Sequence, residues 1–146
     1  FYPDPLALVK VAVDKGAKKI YVEEIIYKQS LSYDAVIEQM KHYVAPNALI
    51  VADTSEPRLI EALQQGGLNV QKAEKGPGSI VEGIKKMLDY QIIVTEESYN
   101  LKHELRNYIW NDRKSSTPLD ADNHGCDSLR YIFSRLAQGS DLLAYN

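Results

Sequence analysis

Five apolar residues in a row, Ala48-Leu49-Ile50-Val51-Ala52, stand between the turn pair Pro46-Asn47 and the acid Asp53. A run this short with no polar alternation suits a strand buried on both faces, the situation of a parallel strand covered by helices. Helix signals follow at once. Ser55 is placed to cap a helix with Pro57 in its first turn, Leu59, Ile60 and Leu63 on one face, and Gly66-Gly67 past its end. A strand feeding directly into a capped helix commits this part of the chain to an α/β architecture.

The flanking segments fit that scheme. Leu6 to Val13 and Lys19 to Tyr27 are β-rich runs joined by Asp14-Lys15-Gly16-Ala17-Lys18, which reads as a hairpin with Gly16 able to take positive φ. Ser30 or Ser32 caps a helix carrying Val36, Ile37, Met40, Tyr43 and Val44 and ending near Pro46 and Asn47. Leu68 to Ala73 reads as a short strand, Ser79 with Glu82 as the capping box of a helix carrying Ile80, Ile84, Met87 and Leu88, and Ile92 to Thr95 as another strand. A helix is predicted from about Ser98 on Leu101, Leu105 and Tyr108, then a loop over Asn111 to Thr117. The last helix buries Cys126, Leu129, Phe133 and Leu136, stops at Gly139-Ser140 and leaves residues 139–146 as a loose tail.

With 146 residues the chain is expected to form one domain, 1–146. Forty-five per cent apolar residues with a quarter charged is a globular composition; no apolar run is long enough to span a membrane, and no secretory leader pattern opens the sequence. The lone Cys126 excludes an internal disulfide and reads as a small core residue. A net charge of −3 argues against a broadly basic surface, so any binding of nucleic acid would use a local patch.

Candidate chemistry gathers at two places. On a helical wheel of roughly 100° per residue, His124, Asp127 and Tyr131 share a stripe away from Cys126, Leu129 and Phe133, so Asp127 need not be buried. If that helix packs beside the strand ending at Asp53, two carboxylates and an imidazole converge as hard donors for Mg²⁺ or Mn²⁺, the ions that serve phosphodiester hydrolysis. The plainer readings stand beside this one: Asp53 closing a strand-to-helix turn, Asp122 as an N-cap, His124 as a surface histidine. His42 and His103 have no acidic partner in a suggestive pattern. The loop Lys72 to Ser79 could offer backbone N–H groups to a phosphate, or be an ordinary connection, and it lacks the spacing of a nucleotide-binding phosphate loop. Tyr99, Tyr108 and Trp110 could stack bases, but core packing is the reading their spacing favours.

Several segments taken in order resemble the C-terminal nuclease domain of the large terminase subunit of tailed bacteriophages and prophages. They are Asp4-Pro5-Leu6-Ala7-Leu8-Val9, Ala52-Asp53-Thr54-Ser55-Glu56-Pro57, Lys75-Gly76-Pro77-Gly78-Ser79-Ile80 with Gly83-Ile84, Glu104-Leu105 with Tyr108 and Trp110, and Asn123-His124 with Asp127-Ser128-Leu129-Arg130-Tyr131. The resemblance implies a ribonuclease H-like mixed β-sheet flanked by helices, related to RuvC-type resolvases, and a two-metal endonuclease that cuts concatemeric double-stranded DNA during genome packaging. It makes Asp53 and Asp127 catalytic metal ligands for Mg²⁺ or Mn²⁺, His124 an auxiliary residue near the metal, and Lys75 a DNA-binding residue beside the cleft. It also implies an upstream ATPase domain, small terminase and portal protein as partners, and action in the cytoplasm of a bacterial host at the procapsid. The family's first catalytic aspartate lies on a strand before the segment matched by Asp4 to Val9. The expectation is therefore a sheet lacking its first strand and a fragment that is weak or inactive alone. A RuvC-like structure-specific resolvase and a non-catalytic DNA-binding or docking module are the competing readings.

Overall fold

The computed structural model describes residues 6–53, 55–115 and 123–143. The elements run β1 (Leu6–Asp14), β2 (Lys19–Lys28), α1 (Tyr33–Tyr43), β3 (Ile50–Ala52), α2 (Pro57–Gln65), β4 (Val70–Lys72), α3 (Ser79–Leu88), β5 (Gln91–Val94), α4 (Tyr99–Ser115) and α5 (His124–Leu143). β1 and β2 form the expected antiparallel hairpin, and β5 adds to β2 in parallel. β3 and β4 pair in parallel as a separate two-stranded sheet. Among the described residues, the mixed sheet is thus in two pieces, of strand order β1-β2-β5 and β3-β4. Among the described residues, β1 and β3 each have no paired strand on one side, and both line one groove.

Each sheet has its own core. Ile20, Val22, Ile84, Met87, Leu101, Leu105, Cys126, Leu129 and Phe133 close one cluster, and Val36, Met40, Ile50, Ile60, Leu63 and Val70 the other. Alternation along β1 serves both: Val9, Val11 and Val13 pack on the first cluster, Leu6 and Leu8 on the second. A register shift falls between Leu8 and Val9, where the two faces trade partners. Helix α5 touches β1, β2, β3, α3 and α4 and so spans the two sheets. Cys126, Leu129 and Phe133 are fully buried on it, as the wheel requires, while Leu136 is half-buried.

Local chemistry departs from the sequence reading at several ends. In the hairpin turn, Asp14 Oδ1 accepts the Ala17 N–H at 3.0 Å, and positive φ falls on Lys18 (55°) rather than Gly16. Ser32, not Ser30, caps α1 by accepting the Ala35 N–H at 3.2 Å. α2 takes Glu56 as its N-cap with no side-chain bond, and Ser55 instead belongs to the Asp53 turn, where the Asp53 carboxylate accepts its N–H. α3 starts after Gly78, in the left-handed region (φ 77°), and Ser79 is already helical, so no capping box forms. Helix α4 continues through Asn111 to Ser115, where a loop was expected: these residues carry no glycine or proline, and a polar, charged run can be a helix's solvated face. α5 continues past Gly139-Ser140 to Leu143, where a loose tail was expected, a single glycine costing a helix only about 1 kcal/mol. Tyr99 is 70 % exposed and is no core residue. The side chains of Tyr108 and Trp110, and residues Asp4 and Asp122, lie outside the described residues.

Leu129 has no exposure and sits where α5 meets the first core, with little freedom for its neighbours to collapse. Leu129→Ala should lower unfolding free energy by about 2–5 kcal/mol, read from the urea midpoint at unchanged slope.

Candidate functional site

Asp53 follows the last residue of β3, so its side chain leaves the sheet at the carboxyl end of a parallel strand. Its Oδ1 accepts the Ser55 N–H at 3.0 Å and also bonds the Lys75 ammonium. The turn-closing role and the site role thus coexist in one carboxylate. Burial alone would raise the Asp53 pKa, but the Lys75 hydrogen bond, the Ser55 N–H and the Lys75 charge together hold it below the ordinary 3.8. Burial would lower the Lys75 pKa, yet the Asp53 bond and the neighbouring Tyr131 carry it above the ordinary value.

α5 brings the second group. His124 opens the helix and Asp127 follows one turn later, its side chain 40 % exposed, as a residue off the buried stripe should be. Asp127 meets Arg130 at 3.4 Å, while Ser128 Oγ reaches the Ala7 carbonyl at 3.3 Å and ties the helix to β1. Tyr131 shares the stripe but is only 9 % exposed. Lys75 Nζ lies 5.7 Å and Arg130 Cζ 4.8 Å from its ring centre. Burial raises the Tyr131 pKa first, then the charges of Asp53 and Asp127, with Lys75 and Arg130 opposing.

Asp53, His124, Asp127 and Tyr131 line one groove of about 210 Å³, closed by Leu6 to Leu8 of β1, by β3, and by residues of α1 and α2. The structure therefore brings together the residues that the sequence singled out. Among the described residues, no three His, Cys, Asp or Glu side chains are gathered closely enough to hold a metal ion. The donor types suit a hard divalent cation, and Lys75 supplies the positive charge at Asp53. No helix among the described residues is long and apolar enough to cross a membrane.

One residue given no role at the sequence level governs the geometry. Glu104 of α4 is 4 % exposed, and its Oε1 accepts the N–H groups of Gly125 (2.9 Å) and Cys126 (3.0 Å) while Oε2 accepts the Tyr27 hydroxyl. It caps α5 from outside that helix, at the turn that carries His124 and Asp127. Gly125 leaves the room: a Cβ there would lie 3.2 Å from Leu101 and 3.3 Å from Glu104. Only an acid followed by leucine on a helical pattern marked Glu104 in the sequence. Burial first, and then the nearby Glu104 and Asp127 carboxylates, push the Cys126 thiol far up, so this buried cysteine stays protonated.

A mixed α/β arrangement in which a closing helix presents Asp127 beside the strand-end carboxylate Asp53 fits a ribonuclease H-like fold. The model of the terminase RNase H-like domain matches residues 1–135, and the chain belongs to that family. It is 36% identical over 143 residues to the terminase large subunit of Bacillus phage SPP1, covering 91% of this chain and 33% of that protein. It is 27% identical over 115 residues to the PBSX phage terminase large subunit of Bacillus subtilis strain 168, covering 78% of this chain and 27% of that protein. The chain thus spans about a third of the length of these curated relatives. Its structure is similar to the crystal structure of the SPP1 g2p large-terminase nuclease domain with bound Mn: TM-score 0.77, 30% identity, covering 92% of this chain and 81% of that one.

Glu104→Ala, which leaves two buried N–H groups without their acceptor, should cost about 1–3 kcal/mol in urea unfolding, and Glu104→Gln clearly less because its carbonyl can still accept them. A second test concerns pH. The folded Asp53 pKa lies below its ordinary value, so the Lys75 pair contributes in full above about 3.8 and is lost as pH falls through the folded pKa. Lys75→Met should move the Asp53 carboxyl titration, followed by carbon NMR, to higher pH.

Proposed function

We propose that the chain is the DNA-cutting module of a phage packaging machine, a metal-dependent endonuclease acting on concatemeric double-stranded DNA. The observation that carries this reading is the meeting of Asp53, Asp127 and His124 in one groove of a fold whose solved relative is a nuclease domain with bound Mn. Asp53 and Asp127 would hold the divalent ions, Mg²⁺ or Mn²⁺. Such ions, when bound in a pair, supply an activated water and neutralise the leaving oxygen of a phosphodiester. The protein's own part is placement: β3 delivers Asp53, and Glu104 fixes the first turn of α5 from which Asp127 and His124 project. Lys75, paired with Asp53, is the cation beside that carboxylate and would offer its ammonium to a DNA phosphate.

The open edges of β1 and β3 fit the family resemblance as well. By the resemblance, the family's first catalytic aspartate lies on a strand before the segment matched by Asp4 to Val9, and the edges of β1 and β3 along this groove are where such a strand would pair. By the same resemblance, the partners are an ATPase domain, small terminase and portal protein, and the site of action is the host cytoplasm at the procapsid.

The deciding experiment is a supercoiled-plasmid assay with Mn²⁺ on the chain extended upstream by the residues of that strand. Nicking is expected from the extended wild type, with Asp53→Ala and Asp127→Ala reduced to the level of protein-free plasmid. Undiminished nicking by Asp53→Ala, or none by the wild type, would sink the proposal. A strong preference for four-way junctions over linear duplex would transfer it to the resolvase class.

A further inference from the structure

A second groove adjoins the acidic one. It runs between α3 and α5 beneath the 73–78 loop, has a cavity of about 270 Å³, and shares Val51 and Tyr131 with the groove that holds Asp53 and Asp127. The two differ in sign. The charged lining of the first is Asp53, Glu56 and Asp127 against Lys28, with His124 beside them. The second is lined by Lys72, Lys86, Arg130 and Arg135 against Glu74 and Glu82. In a chain of net charge −3, this concentration of cations is a local reversal.

Helical spacing builds the basic groove. Ser79, Glu82, Gly83 and Lys86 recur on one face of α3, and Arg130, Ser134, Arg135 and Gln138 on the facing side of α5. The helices approach closely at Gly83, where a Cβ would stand 2.9 Å from the Arg130 side chain. Arg130 is buried at that contact and bonded to Asp127, so it belongs to the floor. Lys72, Lys86 and Arg135 are exposed along the rim. Lys75 stands at the junction, bonded to Asp53 and facing the ring of Tyr131, which lines both grooves.

We infer that the α3/α5 groove carries the phosphodiester backbone of duplex DNA leading to the acidic groove, with Lys72, Lys86 and Arg135 as its phosphate contacts. The inference rests on the nuclease reading and deepens it by assigning the path of the substrate. An acidic hydrolytic groove repels a polyanion unless cations nearby neutralise the adjoining phosphates, and this groove holds them one tyrosine away. Contacts of this kind read no base edges, so the path is sequence-neutral.

The test is fluorescence anisotropy of a short linear duplex of arbitrary sequence, in metal-free buffer across a salt series. The combined variant Lys72→Gln, Lys86→Gln, Arg135→Gln should bind at least about tenfold more weakly at low salt. The slope of log affinity against log salt should fall by about 2–3, since each lost phosphate contact removes roughly 0.9. The control Lys10→Gln, Lys41→Gln, Lys85→Gln removes three exposed cations that line neither groove and should keep the wild-type slope. Thermal melts verify that both variants fold, and Lys86→Gln alone, with a slope loss near 1, serves if the triple variant does not. A wild-type slope in the groove variant, or an equal loss in the control, would overturn the inference. Because binding is read without metal, failure of plasmid nicking would sink the nuclease reading separately, while absence of any salt-dependent duplex binding by the wild type would overturn the inference and leave the nuclease reading to the plasmid assay.

Discussion

The buried carboxylate of Glu104 is the contact on which the site depends. A helix begins with N–H groups that have no partner within it, and at α5 two of them are satisfied by an acid from a different helix. The negative charge sits at the positive end of the helix dipole, where it is favoured, and burial strengthens the interaction. A similar arrangement precedes it: Glu24 of β2 accepts the Leu101 N–H at 2.8 Å and the Asn100 amide at 2.9 Å at the start of α4. Ser98, itself buried, accepts the Glu24 N–H at 2.9 Å. The hairpin thus orients α4, and α4 orients α5, so the position of Asp127 is set by a chain of polar contacts that starts half-buried at the sheet and ends buried at Glu104.

The charges of the groove follow from the same architecture. Parallel strand β3 ends where the sheet ends, which leaves Asp53 at the rim, half-exposed, with a main-chain donor on one side and Lys75 on the other. The ion pair is exposed enough that it contributes little to stability. Its importance is electrostatic: a positive group holds the place beside a carboxylate that would otherwise face Asp127 across Tyr131. Opposite charges therefore meet at Tyr131, with acids lining one groove and cations the next.

Much of this was legible beforehand. The hairpin and the α5 stripe follow from periodicity, which reports directly on which side chains avoid water, whereas the apolar run before Asp53 is strand only over Ile50–Ala52, with Ile50 buried and Val51 and Ala52 half-buried along the groove. The ends were read less well. Ser55, Ser79 and Gly16 carry the right chemistry for caps and turns, yet Asp53 had taken the Ser55 N–H, Gly78 supplied the left-handed residue, and Lys18 took the positive φ. In each case the residue that bounds or turns the element lies one or two positions from the one the sequence singles out, an offset that composition alone does not resolve. The loop expected at Asn111 is helix because polarity marks exposure and not irregular backbone.

By itself, the sequence determined most element types, the apolar stripes of the helices and which acids are candidates for the site, because burial patterns and side-chain chemistry are local properties of the chain. Only the tertiary structure decided that Asp53 and Asp127, far apart along the chain, line one groove, that Glu104 anchors the helix that carries Asp127, and that Lys72, Lys86 and Arg135 form a basic groove next to it. Those relations depend on how α5 packs across both sheets, and packing of distant elements is set by shape and burial that no single segment encodes.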